Sequence, residues 1–180
     1  LFSKLDGIKL YKNIKLITHQ AATPSIDKVL FDLKPSCISE WYSINVDHVN
    51  ENLIPIPLGL ANNFSKGNLH PENYLEAYKN KYREKKSDKI YCNFNPSTNI
   101  KRSHYLKHVE NNKLFDTAKD KVENKEFLKK LLHYKYVLSP QGIGLDTHRF
   151  WETLYSGSMP IAENNYIYNK LFSQHYHPFQ

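Results

Sequence analysis

Residues 139–161 read "SPQGIGLDTHRFWETLYSGSMPI". The run opens on Ser-Pro, passes glycines at 142 and 144, and reaches Asp-Thr-His-Arg before an apolar helical stretch that Gly157 stops. Just before it, "YKYVLSP" (134–140) is rich in aromatic and β-branched residues and predicts a strand. Just after it, "SMPIAEN" (158–164) predicts another. A strand, a Gly-rich turn, a helix over 147–157 and a second strand make a βαβ unit, and such a unit joins parallel strands.

Upstream, "KIYCNFN" (89–95) predicts a strand. "TNIKRSHYLKHVENN" (98–112) predicts a helix capped by Thr98 or Asn99. "NKEFLKKLLHY" (124–134) predicts another, with Phe127, Leu128, Leu131 and Leu132 facing inward. The second half therefore reads strand, helix, helix, strand, helix, strand, an order that calls for a parallel sheet covered by helices. In the first half, strands are expected at "IKLITH" (14–19) and "CISEWYSINV" (37–46). A helix is expected over 24–35, with Ile26, Val29, Leu30 and Leu33 inward, and a polar helix over 71–86. "NLIPIPLGLAN" (52–62) is expected to be extended, but its two prolines rule out a regular central strand. "KSDKI" (86–90) is the boundary candidate, dividing the chain into halves 1–86 and 87–180.

The chain has 180 residues, 13 tyrosines and a formal net charge of +7, and its pI near 9.2 favours an anionic partner. Most of the lysines are expected on solvated faces. Cys37 and Cys92 are too few for a disulfide framework and read as reduced thiols. No apolar run approaches the roughly 18 residues of a membrane span. The chain starts at Leu1 without Met and reads as a piece of a longer protein.

In open α/β sheets, ligands bind beyond the carboxyl ends of the strands, where residues 139–152 are expected to lie. Gly142 and Gly144 would allow positive φ and close backbone approach. The helix start offers backbone N–H groups to an anion. Arg149 can grip a phosphate with its fork of donors. Glu152 lies at i+3 from Arg149 and i+4 from His148, so the three share a face. Positive charge for phosphates and an acid for a sugar ring suit a nucleoside diphosphate. The plainer readings make Asp146 the helix N-cap, His148 a hydrogen-bonded structural histidine, and Arg149–Glu152 a surface pair.

The 139–161 stretch closely resembles the exostosin-type glycosyltransferase signature: a strand ending in Ser/Val-Pro-x-Gly, an Arg-x-x-Glu helix, and Gly-x-x-Pro-Ile/Val. "LITHQA" (16–21), "PIPLGLAN" (55–62) and "YCNFNPSTNIKR" (91–102) are similar to stretches of bacterial and viral exostosin-like proteins. The resemblance spans about residues 14–163. It implies a GT-B architecture of two Rossmann-like halves, the C-terminal one holding a nucleotide sugar and a short or truncated N-terminal one the glycan acceptor. It places Arg149 on the donor diphosphate and Glu152 on its ribose or sugar, with Arg102 and Asn95 as secondary phosphate or sugar contacts. It implies inversion at the anomeric carbon. A widespread GT-B pattern has two glutamates eight positions apart, but eight before Glu152 stands Gly144, so no retaining mechanism is assigned.

Inverting transfer needs a base for the acceptor hydroxyl. His19 at a strand end is the first candidate, with Asp146 and Glu163 as others; Glu163 could equally touch the donor sugar. No metal or cofactor is expected: no Asp-x-Asp pair occurs, and His104/His108 and His175/His177 lack accompanying carboxylates or thiols. The expected partners are a nucleotide diphosphate sugar and a glycan, with no nucleic acid and no membrane span. The compartment follows the source: cytoplasm for a bacterial or viral protein, Golgi lumen for a eukaryotic one. Two other readings are a non-catalytic glycan- or anion-binding module of the same fold, and a basic nucleic-acid binder using tyrosines for stacking. The scatter of basic residues among acids argues against the last.

Overall fold

A computed structural model describes residues 2, 11–19, 23–61, 69–80, 85–118 and 122–172. The chain is an α/β protein with two separate all-parallel sheets, in the manner of Rossmann-like folds. It divides into two units. The first comprises 1–58, 143–146 and 164–180, and the second 59–142 and 147–163. The chain thus changes unit at 58/59, 142/143, 146/147 and 163/164, a more interleaved division than a single cut at 86/87.

In the first unit β1 (Ile14–Thr18), β2 (Ile38–Ser43) and β3 (Leu53–Pro55) lie in the order β1-β2-β3. β3 ends at Pro55 and sits at the edge, where the missing N–H costs no ladder bond. Ile26, Trp41, Val46, Leu53 and Ile167 form the core. The Trp41 indole N–H donates to Thr18 Oγ1 at 2.8 Å, satisfying the polar end of the ring. The helix expected over 24–35 shrinks to α1 (Lys28–Asp32), capped by Asp27, whose carboxylate accepts from the Leu30 N–H. Ile26 instead bridges to Val46 in extended form. Val29 and Leu33, expected inward, are exposed. Five residues give barely more than one turn, too short to present a long apolar stripe.

In the second unit α2 (Pro71–Asn80) precedes β4 (Ser87–Cys92), α3 (Ile100–Val109), β5 (Phe115–Thr117), α4 (Asn124–His133), β6 (Tyr134–Leu138), α5 (His148–Tyr155) and β7 (Met159–Ile161). Residues 81–84 of the helix expected to reach 86 lie outside the described residues, as do His175 and His177. The strand order is β5-β4-β6-β7, all parallel. The three-residue strand β5 was not foreseen between the two helices. The core gathers Tyr74, Tyr91, Phe127, Leu128, Leu131, Tyr134 and Val137. Tyr91 stacks on Tyr134 with ring centroids 5.0 Å apart. The inward positions of α4 fall as its spacing predicts: Phe127, Leu128 and Leu131 are buried and Leu132 packs against them. Each such side chain contributes about 1.5–3 kcal/mol.

α5 stops by a Schellman geometry. Gly157 has φ +67, its N–H bonds the Leu154 carbonyl, and the Ser158 N–H bonds the Thr153 carbonyl. The last helix, α6 (Tyr166–Phe172), belongs to the first unit and packs on β3. Its aromatic, β-branched composition conceals it from propensity, although Asn165 accepts from the Tyr168 N–H at its start.

The boundary candidate 86–90 lies inside the second unit, whose first segment runs from Gly59 to Gly142. Lys86 anchors that end of the sheet. Its ammonium donates to Ser158 Oγ at 2.7 Å and faces the carbonyls of Leu131, Ser156 and Tyr134 at 3.3 to 3.4 Å. These carbonyls lie at the C-terminal ends of α4 and α5, where a cation also meets the negative end of the helix dipole. Lys86→Met is expected to cost about 2 kcal/mol, seen as a lower urea midpoint at unchanged slope.

Candidate functional site

From β4 the chain steps to β5 on one side and then crosses back to β6 on the other, so the switch point of the second sheet lies between β4 and β6. Ligands of open α/β sheets lodge outside such a point. Here the loops that leave it are tied together by Arg102, on α3. Its Nε donates to the Gln141 carbonyl at 2.9 Å and Nη2 to the Pro140 carbonyl at 2.8 Å. Nη1 donates to the Asn95 carbonyl at 3.2 Å and Thr98 Oγ1 at 2.8 Å. Arg102 is 8% exposed. Burial, and then the nearby Arg149 charge, pull its pKa below the usual guanidinium range. Expected as a secondary phosphate or sugar contact, it ties these loops together through three bonds to backbone carbonyls and one to the Thr98 hydroxyl.

The glycines serve that clamp and a second close approach. Neither Gly142 nor Gly144 has positive φ; Gly59 and Gly157 do. A Cβ on Gly142 would stand 3.0 Å from Arg102 Nη2, and its carbonyl accepts from Asn99 Nδ2 at 2.8 Å. A Cβ on Gly144 would fall 2.5 Å from Asn45 Oδ1. That oxygen accepts from the Asp146 N–H at 3.1 Å. Small size at these positions therefore admits protein side chains rather than a left-handed turn.

Asp146, 2% exposed, belongs to the first unit. Its Oδ2 accepts from the Leu58 N–H at 2.7 Å and Oδ1 from the Tyr168 hydroxyl at 3.1 Å. The N-cap of α5 is Thr147, not Asp146. Glu163 has both oxygens engaged as well, by the Gln141 N–H at 2.9 Å and the Tyr105 hydroxyl at 3.1 Å. The His148 ring pairs through Nδ1 with the Gly59 carbonyl at 2.8 Å. His19 follows β1 in the first unit, beside a hollow of about 290 Å³ lined mainly by apolar side chains such as Pro24, Ile26, Leu30 and Ile44.

The open space lies on the other side of β4. A cavity of about 1020 Å³ sits at the carboxyl ends of β4 and β5, reached by Arg149 and Glu152 from α5. Its size falls at the upper end of the ligand-pocket range. Asn93, Asn95, Asn111, Asn124 and Thr117 bring polar groups to it, and Phe94, Phe115 and Phe127 bring aromatic walls. Among the described lining residues the formal charges are Arg149, Glu152 and Glu110. Cys92 lines it too, but burial pushes its thiol up to about 11, so it is a neutral wall at pH 7 rather than a thiolate.

Arg149 is held on three sides. Its Nε donates to Glu152 Oε2 at 3.2 Å and its Nη1 to the Asn93 carbonyl. Its guanidinium carbon lies 4.0 Å from the Phe127 ring centroid, a cation–π contact. The side chains of Arg149 and Glu152 keep 20% and 15% of their exposure, so the pair is far less solvated than a surface ion pair. Burial, and then the nearby Glu152 charge, raise the Tyr74 hydroxyl pKa well above its ordinary value.

Of the expected donor residues, the cavity brings together Arg149, Glu152 and Asn95. Asn95 also caps the short 3-10 turn Pro96–Thr98, its Oδ1 accepting from the Ser97 N–H at 3.0 Å. Gly142, Arg102, His148 and Glu163 support loops of the same unit, while Gly144, Asp146 and His19 belong to the first unit. Sequence reasoning missed Asn93, Phe127 and Tyr74. Asn93 could have been found, since it stands near the carboxyl end of the strand predicted over 89–95. Tyr74 carries no local signal, because the Glu152 charge that bears on it lies far along the chain. No protein-family model matches the sequence, and no curated protein is significantly similar to it.

Proposed function

We propose that this protein is a glycosyltransferase whose second unit binds a nucleotide diphosphate sugar in the cavity beyond β4 and β5. One observation carries the reading: a preset Arg149–Glu152 pair at the start of α5 opens on a nucleotide-sized cavity at the carboxyl edge of a parallel sheet. The amides of Asn93, Asn95 and Asn124 add neutral hydrogen-bonding groups suited to hydroxyls or a heteroaromatic base. In this reading the two sheets are the halves of a GT-B enzyme, and the first unit takes the glycan acceptor.

The transfer is an inverting displacement. An acceptor hydroxyl oxygen forms a bond to the anomeric carbon as the bond to the diphosphate oxygen breaks. The electron pair leaves with the nucleoside diphosphate, whose charge Arg149 steadies. The hydroxyl proton goes to a base. His19 is the proposed base, since the two oxygens of Asp146 already serve the Leu58 N–H and the Tyr168 hydroxyl. The same commitment of Asp146 favours a second reading, a donor-binding module that performs no transfer.

Among the described residues no helix is long and apolar enough to cross a membrane. Calorimetric titration with uridine, guanosine and adenosine diphosphates, and with their sugar conjugates, tests the proposal. One nucleotide is expected to bind, and its sugar conjugate to be turned over when an acceptor is supplied. Binding without turnover selects the second reading. A folded protein that binds none overturns both.

A further inference from the structure

Asn93, Phe94 and Asn95 directly follow β4, and all three line the cavity. The backbone on either side of the phenylalanine is pinned. Arg149 Nη1 donates to the Asn93 carbonyl, and Arg102 Nη1 donates to the Asn95 carbonyl at 3.2 Å. Arg102 also lies over the Phe94 ring, its guanidinium carbon 5.4 Å from the centroid. Arg102 is buried and does not line the cavity. One face of the ring is therefore backed by a fixed cation, and the other is left to the open space.

The other phenylalanine walls described above are placed differently. Phe127 carries the Arg149 guanidinium at 4.0 Å and lies 6.4 Å from the Tyr91 ring, so the protein itself uses it. Phe115 opens β5, at the amino end of the strand, whereas ligands of parallel sheets gather at the carboxyl ends. The amides beside Phe94 each keep one group unused among the described residues. Asn93 Nδ2 donates to the Tyr91 hydroxyl at 3.1 Å, which leaves Oδ1 as an acceptor. Asn95 Oδ1 accepts from the Ser97 N–H and hydroxyl at 3.0 and 2.8 Å, which leaves Nδ2 as a donor. A rigid apolar face next to one acceptor and one donor matches a flat heterocycle, whose face stacks and whose edge carries both kinds of group. We propose that Phe94 is the platform on which the base of the donor nucleotide stacks, so that Arg102, Phe94 and the base lie in one layered stack. The proposal rests on the donor reading of the cavity and adds to it the seat of the base.

The test titrates the parent, Phe94→Leu and Phe94→Tyr with uridine, guanosine and adenosine diphosphates and with inorganic pyrophosphate. Melting curves establish that each variant is folded. Phe94→Leu is expected to weaken the nucleoside diphosphate that the parent binds by about tenfold or more, the usual worth of a base stacked on an aromatic ring. Its affinity for pyrophosphate, which has no base, is expected to stay within about twofold. Phe94→Tyr keeps the ring and is expected to bind the nucleotide within about twofold of the parent. Equal losses for nucleotide and pyrophosphate, or no loss for the nucleotide, overturn the proposal and leave Phe94 a wall that no base touches. If the folded parent binds none of the four probes, the donor reading fails by itself. The platform is then read in the parent from the Phe94 ring protons on adding uridine, guanosine or adenosine, and the same reading decides if Phe94→Leu does not fold. Upfield ring shifts with a nucleoside, absent with ribose alone, support the stack, and unmoved ring protons overturn it.

Discussion

An Arg102→Leu variant is expected to melt roughly 10 °C below the parent with no ligand present. The substitution removes the donors that now serve the carbonyls of Asn95, Pro140 and Gln141 and the hydroxyl of Thr98. A buried carbonyl deprived of its partner costs about 1–3 kcal/mol. With Arg102 itself 8% exposed, water cannot readily replace the lost bonds. A net loss of about 4 kcal/mol follows, and a chain of this length shifts about 2–4 °C per kcal/mol. Arg102→Lys is expected to recover little, because an ammonium cannot span acceptors laid out for a planar fork. Melting curves with and without uridine diphosphate separate the clamp from a ligand contact. A residue that only touched phosphate would leave the unliganded midpoint unchanged, and that outcome would sink the assignment.

Arg149→Met is expected to do the opposite. It should lose about 100-fold or more of diphosphate affinity, since a forked, charge-assisted contact is replaced by a neutral thioether. The methionine stem still covers Phe127, so the midpoint should fall by only a few degrees, about 1–2 kcal/mol in cost. Arg149→Lys, with charge but no fork, should fall between, near a tenfold loss. Titration calorimetry of the three proteins checks the series. If Arg149→Met binds diphosphate as the parent does, the donor site is not this cavity.

The two arginines illustrate how far local pattern reaches. Both stand near predicted strand ends, and from sequence both read as phosphate contacts. The structure spends one on backbone and leaves part of the other facing open space. The difference arises from loops 38 to 56 positions away in sequence, at Pro140 for Arg102 and at Asn93 for Arg149. The glycines show the same limit. "GIG" (142–144) announces that a side chain is forbidden, but the neighbours that forbid it, Arg102 and Asn45, come from distant segments.

By itself the sequence determined the βαβ unit and the placing of its charged pair. The 134–161 stretch specified strand, turn, helix and strand, because aromatic and β-branched residues at 134–138, the apolar spacing of 148–155 and Gly157 each act through local geometry. It also put Arg149 and Glu152 on one helix face, since i and i+3 are neighbours in any α-helix. Tertiary structure alone decided that residues 143–146 and 164–172 join the first unit, that β5 completes the second sheet, and that the cavity opens beside β4 and β5 rather than against the glycine turn. It also chose which cation stays available. Those outcomes depend on burial and on hydrogen bonds between residues far apart in the chain, and a buried donor takes whichever carbonyl the fold brings to it.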